Sequence, residues 1–131
     1  TQSRSSAASD VYKRQAFDLI EVSDPSAYQA FLSLEGLGLC DKNEWVKSVN
    51  QHIFESDANL PMNLSGGSAY FNPVFCAGLL RMAEAASQVR GLAGAHQQKN
   101  VKTALGHGSS GLAMQYNTVV IFGKTPKEIR E

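Results

Sequence analysis

Apolar and polar positions fall into short runs of different period. Ala16–Val22 is largely apolar and too short for a helix, as in a buried strand. Ser23-Asp24-Pro25-Ser26 stops it. Asp24 has the chemistry of a helix N-cap, with Pro25 at the first helical position. The helix so opened runs to about Leu37, with Tyr28, Phe31, Leu32 and Glu35 at helical spacing, and Gly36 and Gly38 close it. Asn43–Phe54 reads as a short helix with Trp45, Val49 and Ile53 on one face. Val74–Ala93 carries the clearest helical period: Phe75, Leu79, Met82, Ala86, Val89 and Ala93 make one stripe, and Gly94 is its stop. Val101–Leu105 reads as a strand, His107–Gly111 as a turn, and Gln115–Phe122 as a second strand. Within it, Val119-Val120-Ile121 predicts a central strand buried on both faces. Strand, helices, then two strands predict an α/β fold: a mixed sheet with helices packed on its faces.

Composition narrows the picture. At 131 residues, with 43% hydrophobic and 18% charged positions, the chain makes one globular domain. Its net charge is zero and no Lys/Arg run exceeds two, so nucleic-acid binding has no electrostatic footprint. No apolar run reaches the roughly 20 residues of a membrane span. Cys40 and Cys76 suggest no disulfide framework, and a reducing cytoplasm is the expected location. No Cys/His spacing indicates a metal site. Residues 1–15 are polar and without period. They read as a disordered tail or as a foreign one, since Ser-Asp-Val-Tyr-Lys-Arg-Gln resembles a translated sequencing adaptor. The domain is then expected over 16–123, as a fragment, with a solvated tail over 124–131.

The candidate chemistry gathers in two turns. Asn63–Gly78 holds a glycine-rich turn with Gly66 and Gly67, then Asn72-Pro73, then the start of the long helix. Backbone N–H groups ahead of a helix N-terminus suit an anion or a thioester oxygen. The second turn is His107-Gly108-Ser109-Ser110-Gly111. Imidazole moves protons at physiological pH, so His107 is the foremost acid–base candidate. A histidine in such a turn is expected outside the core, so its removal should barely alter stability. Tyr70 offers a phenol in the first turn, against the plainer reading of a packed aromatic. Ser109 and Ser110 read as turn residues rather than nucleophiles. His52 and His96 lie in polar, exposed segments.

Three blocks, in order, resemble the C-terminal domain of the thiolase superfamily. Asp18-Leu19-Ile20-Glu21-Val22-Ser23-Asp24 is similar to the strand that ends in Asn-Glu-Ala-Phe or His-Asp-Ala-Phe. Asn63-Leu64-Ser65-Gly66-Gly67, with Asn72-Pro73 and Gly78, is similar to the Asn-x-x-Gly-Gly … Gly-His-Pro-x-Gly-Ala-x-Gly block. Leu105–Gly111 is similar to the loop written Cys-x-Gly-Gly-Gly or His-Asn-x-Gly. The helix start most resembles a divergent archaeal-type and lipid-transfer-like branch that includes acetyl-CoA acetyltransferases and steroid side-chain aldolases.

The resemblance implies an acyl-CoA enzyme that makes or breaks a C–C bond beside a thioester, with coenzyme A thioester as substrate and no further cofactor. Alternatives are a retro-aldolase and a non-catalytic lipid carrier or scaffold. Its implied partners are acyl-CoA, an N-terminal half absent from this chain, a second copy in a homodimer and a small OB-fold protein. The nucleophilic cysteine of such enzymes belongs to that absent half, so the chain alone should be inactive. Cys76 falls at the family's Ala. Ser23 stands where the family has Asn or His positioning an oxyanion-hole water. Asp24 matches an acidic residue, while Pro25 and Ser26 depart from Ala-Phe. Asn72 replaces the family's His before Pro; it can donate to an oxyanion, cap the helix, or both. His107 takes the place of the second catalytic Cys or His. Gly66, Gly67, Gly108, Ser109 and Ser110 are the implied substrate- and oxyanion-binding positions.

Overall fold

A computed structural model of the chain describes residues 17–70 and 75–125. Strand β1 (Leu19–Glu21) is followed by helix α1 (Ala27–Gly36), a 3-10 turn at Lys42–Glu44, and helix α2 (Trp45–Asn50). Then come the single-turn helix α3 (Gly67–Tyr70), helix α4 (Ala77–Arg90), and strands β2 (Thr103–Ser110) and β3 (Tyr116–Gly123). The sheet order is β1-β2-β3, with β1 parallel and β3 antiparallel to β2. The expected mixed sheet with helices on its faces is therefore present.

Two apolar clusters lie on opposite faces. On one side Ile20, Val22 and Leu105 pack against Leu34 and Leu37 of α1 and the chain beyond it. On the other, Leu19 and Ala104 pack against Ala85 and Val89 of α4. Gly106 and Gly108 let α4 lie directly on β2. A Cβ on Gly108 would sit 2.9 Å from the Gly78 Cα, and one on Gly106 3.2 Å from the Met82 Cα. The outer edge of β1 is covered by Pro61–Asn63: Ile20 N donates to Pro61 O, Asn63 N donates to Ile20 O, and the Asn63 side chain accepts from Val22 N at 2.7 Å. Thus the asparagine that opens the Asn-x-x-Gly-Gly block extends the sheet edge.

Several expectations are corrected. The N-cap of α1 is Ser26, which accepts from Gln29 N, whereas Asp24 faces α4 instead. The buried positions of α1 are Ala30 and Leu34, while Tyr28 and Leu32 are exposed. Val49 is exposed on α2 and Ser48 is its buried residue. Trp45 packs on the rings of Tyr28 and Phe31. Helix α4 ends at Arg90 with left-handed Gly91 as its cap, ahead of Gly94. Its inner face is Arg81, Ala85, Gln88 and Val89, while Phe75 and Leu79, read as stripe positions, are exposed. The segment His107–Ser110 is strand, not turn; the turn falls at Gly111–Gln115. The central strand is β2, and the β-branched run of β3 is half-buried on a strand paired to β2.

Candidate active site

Parallel strands β1 and β2 deliver their C-terminal ends side by side, and the first turn of α4 packs over them. These elements wall an open cleft of about 840 Å³. Ser23, Gly108, Ser109 and Ser110 line it from the strands, and Cys76 and Gly78 from the helix. At its edge the Ser109 hydroxyl donates to Ser23 Oγ at 2.6 Å. Four positions singled out in the sequence are thereby brought together.

His107 stands behind them, on the face of β2 turned away from α4. It is only 3% exposed. Its Nδ1 accepts from Ser23 N at 3.4 Å, so Nε2 carries the proton and donates to Asn117 Oδ1 at 3.0 Å. Burial pulls its pKa below the ordinary value of 6.5, and the Asn117 bond opposes that in part. With both nitrogens engaged inside the protein, the ring has no free lone pair for a substrate proton. The expectation of a turn-borne histidine outside the core is corrected: His107 is buried in strand β2. The imidazole holds the backbone of Ser23.

The glycine-rich turn meets an anion, but an internal one. Ser65 N donates to Glu21 Oε1 at 3.1 Å, Ser68 N to Asp24 Oδ1 at 3.0 Å, and Gly67 N to Ser65 Oγ at 3.4 Å. Gly67 is left-handed, at φ +71°, and a Cβ there would fall 2.1 Å from Asp24 Oδ2. Gly66 is also left-handed and exposed. Gly67 thus lets the turn close on Asp24, whereas a Cβ on Gly66 would meet the Tyr70 side chain. Arg81, 2% exposed, completes the cluster: it donates to Asp24 at 2.8 Å, to Ser65 Oγ at 2.6 Å and to Glu21 at 3.5 Å. Burial raises the pKa of Glu21, against the lowering bonds from Ser65 and the charge of Arg81. Sequence patterning missed this triad, because a lone Arg inside an apolar stripe reads as an outward residue. The one available signal was Glu21 inside a run otherwise fit for burial.

Tyr70 is 76% exposed and lines neither this cleft nor the second cavity described below. Asn72 lies outside the described residues. Cys76 is exposed just before α4, and Cys40 is buried 3.3 Å from Ser48 Oγ. His52 pairs with Glu55, and His96 with Glu84 at 2.9 Å, both at the surface. Among the described residues, no His, Cys, Asp and Glu side chains gather as a metal-binding group, and no helix is long and apolar enough to cross a membrane.

A family model described as thiolase C-terminal domain-like matches residues 2–124. The chain belongs to the thiolase C-terminal domain-like family. The match begins within the segment read above as a tail. An acetyl-CoA acetyltransferase of Methanothermobacter thermautotrophicus is 32% identical over 95 residues, which are 72% of this chain and 25% of that protein. A solved structure titled Ltp2-ChsH2(DUF35) aldolase superposes with a TM-score of 0.72 at 20% identity, over 92% of this chain and 32% of that one. At that identity the likeness speaks for the fold. The thiolase-like chain thus spans about a quarter of the acetyltransferase and about a third of the aldolase chain.

Proposed function

We propose that this chain is the C-terminal part of a longer thiolase-like acyl-CoA enzyme, an acyltransferase that makes or breaks a C–C bond beside a thioester. The observation that carries the reading is the Ser109–Ser23 hydroxyl pair on the wall of the cleft. Ser23 accepts from Ser109, so its own proton is available to a carbonyl oxygen, and a hydroxyl that already accepts is the stronger donor. When a bond beside a thioester forms or breaks, negative charge gathers on that oxygen, and a preorganised donor lowers the barrier. The first turn of α4, across the cleft, favours the same charge through the positive end of its dipole.

In this reading the substrate is a coenzyme A thioester and no other cofactor takes part. Ser23 touches the substrate oxygen, Ser109 polarises it, and His107 positions it. Gly108 and Ser110 form the adjoining wall. Asn72, at the family's His position, supplies a further donor. The acyl-carrying cysteine comes from the N-terminal half, so the fragment alone is inactive. The remaining partners are a second copy and an OB-fold protein, in the cytoplasm.

A second reading, retro-aldol cleavage, is favoured by Asn72. An amide does not take a proton near neutral pH, and this cleavage needs no cysteine nucleophile. The similar structure is titled an aldolase with ChsH2(DUF35). A non-catalytic lipid carrier is the third.

The test uses the full-length protein with two substrates. Cleavage of a 3-ketoacyl-CoA that requires free coenzyme A supports acyl transfer. Cleavage of a 3-hydroxyacyl-CoA without coenzyme A supports the aldolase. Neither reaction, with acyl-CoA still bound, moves the assignment to the carrier.

A further inference from the structure

A second cavity, of about 260 Å³, lies across β2 from the cleft, between α1 and β3. Ser109 and Met114 border both spaces. Leu32, Leu37, Ala113 and Val119 give it apolar walls. Its main polar neighbours already have partners: His107 donates to Asn117, Asn117 Nδ2 donates to Met114 O at 3.1 Å, and Ser33 Oγ donates to Gln29 O at 2.9 Å. Gln29 adds one half-buried polar side chain. Groups whose hydrogen bonds are made hold a polar ligand weakly, so dispersion against the apolar walls is the main attraction this half-open cavity offers.

The turn that carries Met114 is unusual. Gly111, Ala113 and Met114 all have left-handed backbone, at φ 82°, 55° and 55°. That conformation is uncommon outside glycine, and such outliers gather at ligand clamps and switches. Here it places a flexible thioether where the two spaces meet.

We propose that this cavity receives the hydrocarbon end of the acyl chain whose thioester carbonyl sits at Ser23, with Met114 as the side chain that swings to join the two spaces. The proposal rests on the reading of the cleft given above. The 260 Å³ volume falls just below the usual small-molecule range of about 300–1,000 Å³, which suits a short or medium-length chain rather than a steroid nucleus.

Gly36 gives a clean test. It lines the cavity, its backbone is not left-handed, and a Cβ added there meets no atom within 4 Å. Gly36→Leu fills space without forcing the chain, and Gly36→Ala is its control. Leu32→Trp, at a partly exposed position, is the second filling variant should the first fold poorly. Binding of octanoate, octanoyl-CoA and acetyl-CoA to the full-length protein is measured by calorimetry. Filling variants should weaken both eight-carbon ligands by about tenfold or more, as pocket methylenes do, and leave acetyl-CoA unchanged. Unaltered octanoate binding in both filling variants overturns the proposal, even if acyl-CoA is cleaved normally. So does absence of octanoate binding in the unmodified protein, or tighter binding of a steroid carboxylate. Octanoate binding that the filling variants abolish, in a protein that ignores acetyl-CoA, sustains the cavity assignment and contradicts the acyl-CoA reading instead.

Discussion

Arg81 donates to Asp24 across 2.8 Å and so ties helix α4 to the chain leaving strand β1. The same guanidinium reaches Glu21 and Ser65. Ser23, the residue proposed to meet the substrate oxygen, lies between Glu21 and Asp24, so a single buried cation fixes both of its flanks. Removing one partner from a buried charge cluster leaves the others uncompensated.

Arg81→Met should therefore cost about 3–5 kcal/mol of stability in urea denaturation. Arg81→Lys should recover only part, because an ammonium lacks the planar fork that serves several acceptors at once. A loss near the roughly 1 kcal/mol of a surface ion pair would contradict the structural role of the cluster.

Two left-handed glycines give an internal comparison. Gly91 caps α4 at φ +75° with open space around it, whereas Gly67 has nearly the same backbone but faces Asp24. Gly91→Ala should cost about 1–2 kcal/mol, the strain of a left-handed residue alone. Gly67→Ala should cost clearly more, since its Cβ must also displace the carboxylate that Arg81 and Ser68 hold. Equal losses in thermal melts would mean that Asp24 is not held where the structure puts it.

The order of elements was legible because apolar runs, β-branched residues and glycine stops mark it locally. The faces were less so. Arg81 and Gln88 point inward because each finds hydrogen-bond partners there, and no hydrophobic period reveals a satisfied polar residue. His107–Gly111 reads as a turn from composition, yet His107–Ser110 continues β2, where Gly106 and Gly108 admit α4. Asp24 has cap chemistry, but its carboxylate faces an arginine far along the chain and Ser26 caps instead. Ser23, Gly108, Ser109 and Ser110, singled out through family motifs, line one cleft. The Ser109–Ser23 bond depends on strand register, which the sequence alone does not display.

His107 gives a pH signature. Its folded pKa lies below the ordinary 6.5, so folding favours the neutral ring. The stabilisation is complete above that value and is lost as pH falls from it through the folded pKa, with a slope of at most about 1.4 kcal/mol per pH unit. Glu21 acts oppositely: its raised pKa makes its contribution full below the ordinary 4.5 and fade as pH rises through the folded value. The His107 part is therefore read as the difference between the unmodified chain and His107→Gln just below pH 6.5. Parallel stability curves there would show that the ring is not held neutral. Because the imidazole is buried and doubly bonded, His107→Ala should also cost about 2–4 kcal/mol, well beyond a surface change.

The most direct test of the account is the turnover of Ser23→Ala in the full-length protein, with acyl-CoA affinity measured alongside. In the proposed reading the hydroxyl meets the charge that develops in the transition state, so kcat should fall by about 100-fold while binding of the thioester changes little. Undiminished turnover in Ser23→Ala would contradict the placement of the thioester carbonyl at Ser23.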